Sequence, residues 1–273
     1  MFLFVSECFN INLTHMQIPF NKYQGAGNDF IMIDNRKGII DPDDSVLINK
    51  LCDRRFGIGA DGLILISSDS SLDFEMKYFN ADGKIGSMCG NGGRCTAHFA
   101  NKLGIAGIKQ KFLAFDGPHE AELKDGIVRL QMTDIKTISK VKGNYFINTG
   151  SPHYVVFVKN AKETDVLNEG KKLRWSDDFK PGGTNVNFVE ILDSGIFVRT
   201  FERGVEDETL ACGTGVTASA IASVLAGHFD TNHVNVKALG GDLSVEFNIN
   251  NDIITNVYLS GPATFVFDGV IVV

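Results

Sequence analysis

The sequence predicts a mixed α/β (α+β) protein made of two similar domains, each a mostly antiparallel sheet wrapped around a central helix. Three observations predict it. Short strand-like runs dominate the chain, and the helices between them are too few for the regular crossovers of a parallel sheet. Two sixteen-residue segments, CGNGGRCTAHFANKLG from Cys89 and CGTGVTASAIASVLAG from Cys212, share Cys, Gly and Gly at the first, second and fourth places and end alike in Gly. They lie 123 residues apart in a chain of 273, so each half carries one copy.

The elements follow in chain order. Residues 1–15, MFLFVSECFNINLTH, have no Lys or Arg before their apolar run and no small-residue cleavage site, so they make a poor secretory signal and read as a disordered extension. Strand character opens at Met16 with MQIPFNKYQ and continues at Phe30–Asp34, Leu63–Ser67, Phe74–Phe79, Lys111–Phe115 and Ile127–Met132. In the last run Val128, Leu130 and Met132 alternate with Arg129, Gln131 and Thr133, the pattern of a strand with one buried face. Helices are expected at Asp43–Cys52 and Gly93–Leu103. In the second half, strands at His153–Val158, Val186–Ile191, Ile196–Phe201, Val234–Ala238, Leu243–Phe247 and Ile253–Leu259 surround a helix at Thr214–Ala226. Small residues fill the middle of both repeat helices, with Ala97 and Ala220 at the same offset, as a helix threaded through a surrounding sheet requires. The expected division is an N-terminal domain over 16–135 with Cys89, a C-terminal domain over 136–262 with Cys212, and a hinge near 120–150. Residues 263–273 would form a C-terminal strand that could return to the first domain.

Composition narrows the function. A net charge of −7 argues against a nucleic-acid or anionic-membrane surface, which needs a basic stripe. Apolar runs such as Tyr154–Val158 fall far short of the roughly 18 residues of a membrane helix, so a soluble protein is expected. Five cysteines, an odd number with no C-x-x-C pair in a chain this large, suit a reduced, cytoplasmic compartment. The apolar C-terminus ATFVFDGVIVV fits either a homodimer interface or core.

The chemistry concentrates at the repeat. Gly90, Gly92 and Gly93, and likewise Gly213 and Gly215, allow a tight turn at a helix start and leave main-chain N–H groups bare. A thiol there feels the positive end of the helix dipole, so the pKa values of Cys89 and Cys212 are expected to fall toward the range of an acid–base catalyst. The bare N–H groups form a site for a carboxylate. Two such starts facing each other would hold one carboxylate between two thiols, and fixed N–H dipoles are what stabilise the charge released when an amino acid loses its α-proton. One thiolate would take the proton from one face and the opposite thiol would return another, giving inversion. No cofactor fingerprint is present: GAGND at Gly25 neither completes G-x-G-x-x-G nor opens a good helix. A small-molecule substrate and a cofactor-free reaction are therefore expected.

Bland readings compete with this one. An isolated Cys is more often a small buried hydrophobe than a nucleophile, which is the reading for Cys8, Cys52 and Cys95. A metal site from Cys89, Cys95, His98 and Cys212 is disfavoured by the C-x5-C spacing. Two low-pKa thiols brought together could also act as a redox dithiol, with no enzymatic turnover.

GAGNDF (25–30), FNADG (79–83), MCGNGGRC (88–95), GSPH (150–153), TNVNF (184–188), FERG (201–204) and ACGTG (211–215) together resemble the diaminopimelate epimerase family, in its order and over nearly the whole chain from Met16. The resemblance implies two similar domains with the active site in the cleft between them, and a cofactor-independent two-base reaction interconverting LL- and meso-2,6-diaminopimelate on the route to lysine and peptidoglycan. It makes Cys89 and Cys212 the acid–base pair, with Gly90, Asn91, Gly213 and Thr214 around the reacting carboxylate and amino group. Asn28, Asn80, Asn185 and Arg203 would read the distal amino-acid end, since a side-chain amide both donates and accepts and Arg forks onto a carboxylate. Glu202 and His153 would stand beside the reacting centre, binding the ammonium and orienting or tuning a thiol. Singly, each has a bland alternative as a turn Asn or a surface ion pair.

Two positions depart from the family pattern: Ser151, where many members carry Asn, and Gly62, where some carry Gln. Both bear on the distal end. A proline racemase-like enzyme is the runner-up, but that family has His where this chain has Asn91 and handles a ring with no second amino-acid end.

Overall fold

A computed structural model describes residues 16–250 and 253–273, and the expected extension at 1–15, with Cys8, lies outside them. The first half runs β1 (Gln17–Gly25), β2 (Asn28–Asp34), α1 (Ser45–Cys52), β3 (Gly62–Ser67), β4 (Phe74–Asn80), α2 (Gly90–Lys102), β5 (Lys109–Ala114), β6 (Gly117–Lys124) and β7 (Ile127–Gln131). The second runs β8 (Ile138–Val141), β9 (Asn144–Asn148), β10 (Pro152–Phe157), α3 (Val166–Arg174), β11 (Asn185–Leu192), β12 (Gly195–Glu202), β13 (Asp207–Thr209), α4 (Gly213–Leu225), β14 (His233–Ala238), β15 (Gly241–Asn250) and β16 (Ile253–Pro262), and β17 (Thr264–Val272) closes the chain.

The duplication extends well beyond the sixteen-residue match. The first sheet pairs in the order β1-β2-β3-β4-β5-β6-β7, with β2·β3 and β4·β5 parallel. The second pairs as β9-β10-β11-β12-β14-β15-β16, with β10·β11 and β12·β14 parallel at the same places. Each parallel join is spanned by one helix, α1, α2, α3 or α4, because a parallel pair needs a crossover. The sheets are thus mostly antiparallel, as expected, and the two central helices are themselves crossovers. β7 pairs with β16 to join the halves, and β17 runs back to pair with β1.

α4 is buried on nearly every side, so its polar residues must satisfy themselves. Thr217, Ser219 and Ser223 donate to the carbonyls one turn back at 2.9, 2.7 and 2.8 Å. Thr96 of α2 does the same to Gly92 at 2.8 Å, and Ala97 and Ala220 are fully buried. GAGND forms the β1–β2 hairpin turn, with Ala26 and Gly27 both at positive φ, 51° and 83°. Its tip reaches the second domain, where a Cβ on Gly240 would lie 1.8 Å from the Ala26 carbonyl oxygen.

α3 escapes the sequence reading because the inward face of VLNEGKKLR is only Val166 and Leu173, with a glycine between them. It starts on the Asp165 side chain, which accepts from the Asn168 N–H, and ends in Lys171, Lys172 and Arg174. Gly170 lets the helix lie directly on β12, since a Cβ there would meet that of Phe201 at 2.4 Å.

Candidate active site

Cys89 and Cys212 are the residues that cap the two central helices, with nearly identical backbone angles (φ −110°, ψ 116° and φ −106°, ψ 109°). α2 starts at Gly90, three residues before its predicted start, so both thiols stand at helix N-termini. The two starts meet face to face. A Cβ on Gly213 would lie 3.4 Å from the Gly90 Cα and 3.6 Å from the Asn91 nitrogen. Leu259 wedges against both, at 2.9 Å from a Cβ on Gly90 and 3.1 Å from one on Gly213. A methyl at either glycine would press on the Leu259 side chain, and at Gly213 it would fill the space left against Gly90.

Asn91 fixes this contact. Its Nδ2 donates to the Ala211 carbonyl at 2.9 Å, across the domain boundary and beside Cys212, and its Oδ1 accepts from Arg94 Nη2 at 3.0 Å. Arg94 is fully buried and, among the described residues, donates only to neutral acceptors, adding the Gly90 carbonyl at 3.3 Å and that of Pro262 at 3.5 Å. The Asn91 side chain is therefore spent on the scaffold. Arg94's role is invisible before folding, because an Arg inside a helix ordinarily points to solvent.

The thiols correct one expectation. Their pKa values rise rather than fall, because burial outweighs the helix start. For Cys89 burial, helped by the charge of Glu202, pushes the value up to about 11 against the N–H groups of Gly92 and Asn91 and the charge of Arg94. For Cys212 burial and Glu202 push it further above the ordinary thiol range, and the Thr214 hydroxyl opposes them. Cys89 accepts from the Gly92 N–H at 3.5 Å and donates to Asn28 Oδ1 at 3.6 Å, as a thiol does. Burial raises Cys52 and Cys95 as well, to about 12.

A directed hydrogen-bond chain ends on Cys212. Asn187 turns its NH2 edge toward the Tyr154 carbonyl, which only accepts, at 3.4 Å, and so donates to His153 Nδ1 at 3.1 Å. His153 then carries its proton on Nε2 and donates to Thr214 Oγ1 at 2.9 Å, which frees the Thr214 hydroxyl to donate to Cys212 Sγ at 3.4 Å. Burial, with the charge of Arg203, pushes His153 down to about 3, so the imidazole is neutral and the direction of the chain is fixed. Asn187 lies in the TNVNF motif, yet only Asn185 was singled out there; its role depends on the parallel β10·β11 register, which places it opposite Val155. A Cβ on Gly215 would lie 2.3 Å from Asn187 Oδ1, so the chain needs glycine there.

Glu202, at the end of β12, accepts from the Thr209 hydroxyl at 2.9 Å and stands near Cys212. Burial, then the charge of Asp61, raises its pKa against the Thr209 hydroxyl and the neighbouring Cys212. Asn28 is held by Asp61, its Nδ2 donating to Oδ2 at 2.7 Å. Asp61 is clamped by Arg54, which also forks onto Asp29, itself paired with Lys22 at 2.7 Å. Burial opposes ionisation of Asp29, yet Arg54 and Lys22 hold its carboxyl well below the usual range.

Asn185 donates to Ser151 Oγ and to the Pro152 carbonyl, both at 2.8 Å, and accepts from the Arg203 N–H at 2.8 Å. Its amide is fully used in holding Ser151 and Arg203 side by side, and the Ser151 proton stays free to be donated. The Asn80 amide makes no side-chain hydrogen bond among the described residues and stands exposed at the end of β4. Cys95 and His98 do not join the cysteine pair: among the described residues no three His, Cys, Asp or Glu side chains gather as metal ligands. No helix among them is long and apolar enough to cross a membrane.

The family model described as diaminopimelate epimerase matches residues 20–142 and again 145–266. The diaminopimelate epimerase of Flavobacterium psychrophilum is 53% identical over 250 residues, covering 90% of this chain and 97% of that protein. That of Chlorobaculum tepidum is 46% identical over 257 residues, covering 90% and 98%. Among solved structures, a PhzF-family phenazine biosynthesis protein of Bacillus anthracis shares the fold with a TM-score of 0.75 at 14% identity, over 94% of this chain and 99% of that one. A hydroxyproline epimerase of Agrobacterium vitis, with bound trans-4-hydroxy-L-proline, aligns with a TM-score of 0.71 at 12% identity, over 94% and 93%.

Proposed function

The chain belongs to the diaminopimelate epimerase family, an isomerase interconverting diaminopimelate stereoisomers in lysine biosynthesis, and we propose that it carries protons between the LL and meso forms on Cys89 and Cys212 without a cofactor. The observation that carries this reading is the meeting of two cysteine-capped helix starts across one domain boundary. Bare N–H groups of Gly90, Asn91, Gly213 and Thr214 suit the reacting α-carboxylate, where charge accumulates as the Cα–H bond breaks. One sulfur, as thiolate, takes that proton, and the other delivers its own to the opposite face. The two sulfurs exchange protonation states in each turnover, so the pair works with a single thiol proton.

Both thiols are held protonated by burial and by Glu202, so one proton must leave as substrate enters. Glu202 supplies the means: its charge raises both thiols, and a substrate ammonium paired with it cancels that effect. The chain from His153 through Thr214 supplies a donor that stabilises a Cys212 thiolate without protonating it. Ser151 and Arg203, held together by Asn185, suit the distal carboxylate. Asn80 and Asn28 complete the reading of the distal end.

The product of this site serves the peptidoglycan precursor route as well as lysine, in the cytoplasm. β17 pairs only with β1 among the described strands and exposes Val266, Phe267, Val270 and Val272, which suits the homodimer reading of the C-terminus better than core. The test of function is cofactor-free epimerisation of diaminopimelate by the purified chain, with proline alongside. Turnover of diaminopimelate that is lost in both Cys89→Ala and Cys212→Ala supports the reading; full epimerisation by either variant contradicts it.

A further inference from the structure

Tyr78 stands in the cleft with an unexplained hydroxyl. On β4 it shares a face with Met76 and Asn80, because side chains two apart on a strand point the same way. That face meets α2: a Cβ on Gly92 would lie 3.0 Å from Ile64 Cδ1 and 3.4 Å from Met76 Cε. In the β3·β4 register Ile64 opposes Tyr78 and Gly62 opposes Asn80.

The ring sits in a slot that only glycine can form. A Cβ on Gly62 would lie 2.5 Å from Tyr78 Cε2, and one on Gly86 would lie 2.6 Å from both Cδ1 and Cε1. Phe30 meets the ring edge-on at 6.0 Å. The ring is therefore fixed, while the hydroxyl makes no hydrogen bond within the described residues. It is not a closed-off orphan either, as Gln110 Oε1 and Ser176 Oγ are. A Cβ on Gly86 would also lie 3.3 Å from Asn80 Nδ2, and Phe30 shares a face of β2 with Asn28, so the ring stands beside both asparagines; Cys89, Glu202 of the opposite domain, Asp61 and Cys52 all bear on the phenol. Asp61 is already paired with Arg54, but Glu202 has no salt-bridge partner among the described residues, so the local charge favours a cation over an anion.

We propose that Tyr78 is a specificity-determining residue whose Oη, aimed by the Gly62–Gly86 slot, accepts a hydrogen bond from the distal ammonium of bound diaminopimelate beside Asn80. This rests on the diaminopimelate reading of the site. It also accounts for Gly62: with no side chain there, the neighbouring strand supplies the polar group through Tyr78. Burial keeps the phenol protonated well past any working pH, so the oxygen acts as a neutral acceptor throughout.

The test compares Y78F with the wild type on LL-diaminopimelate, because Phe keeps the ring in its slot and removes only the oxygen. The proposal expects KM to rise about tenfold with kcat little changed, the loss of a hydrogen bond to a charged group. It also expects the inhibition constant of 2-aminopimelate, which lacks the distal amine, to be the same for both enzymes. An unchanged KM, a loss confined to kcat, or equal weakening of 2-aminopimelate overturns it. If the wild type itself does not turn over diaminopimelate, the functional reading fails instead.

Discussion

Replacing Thr214 by Val isolates the hydrogen-bond chain behind Cys212. The two side chains have the same shape, so the variant keeps the helix start and the backbone N–H while removing the one atom that bonds to His153 at 2.9 Å and to Cys212 at 3.4 Å. A Cys212 thiolate then loses its side-chain donor, worth about 1.4 kcal/mol, which is roughly tenfold in rate and one unit in the thiol pKa. We expect kcat/KM to fall about tenfold and its basic-side limb to move up by about one pH unit. Because the equilibrium constant belongs to the substrates, kcat/KM must fall by the same factor in both directions. His153 Nε2–H, left buried with no acceptor, costs a further ~1–3 kcal/mol of stability in a denaturant titration. Thr214→Ser restores the hydroxyl and should recover both rate and pH limb. A T214V enzyme with the wild-type pH profile would refute the chain's role in stabilising the thiolate.

Three further outcomes follow from the same geometry. His153 is held near 3, below its unfolded value near 6.5, so the unfolded chain binds the extra proton and stability is present above about pH 6.5 and lost as pH falls from there toward 3, at up to about 1.4 kcal/mol per unit; His153→Gln should flatten that slope by close to one proton in urea melts between pH 6 and 5, and an unaltered slope would count against a buried neutral imidazole. Gly215→Ala drives a methyl to 2.3 Å from Asn187 Oδ1 and should cost about 1–3 kcal/mol and most of the activity, a cost that thermal melts and turnover will reveal. With Cys89 pushed up to about 11, alkylation of the ligand-free enzyme should accelerate roughly tenfold per pH unit from 7 toward 10, as peptide mapping of iodoacetamide adducts can show; a plateau near neutral pH would mean a thiolate already formed.

Much of this site was legible in the sequence because it is local. The repeat of Cys-Gly-x-Gly placed both thiols at helix starts, and small residues such as Ala97 and Ala220 marked the helices that run through their sheets. What could not be read depends on contacts between distant segments. Asn187 becomes functional only through the parallel pairing of β10 and β11, and Arg94 only through the Pro262 carbonyl and Asn91. The direction of the thiol shifts was misjudged for the same reason. A helix start is visible in a sequence, whereas the domain packing that buries it is not, and burial is the larger effect for Cys89 and Cys212. α3 could not be read because its apolar face is only Val166 and Leu173, and the close approach to Phe201 that Gly170 allows shows only in the packed structure.

The claim that two thiols act on opposite faces is tested most directly by the first turnovers in heavy water, starting from pure LL-diaminopimelate. A two-base enzyme places solvent deuterium in the meso product while the remaining substrate stays unlabelled, because the base that removes the proton is not the acid that returns one. Product that retains its original proton, or label appearing equally in substrate and product from the start, would contradict the account and require a single base serving both faces.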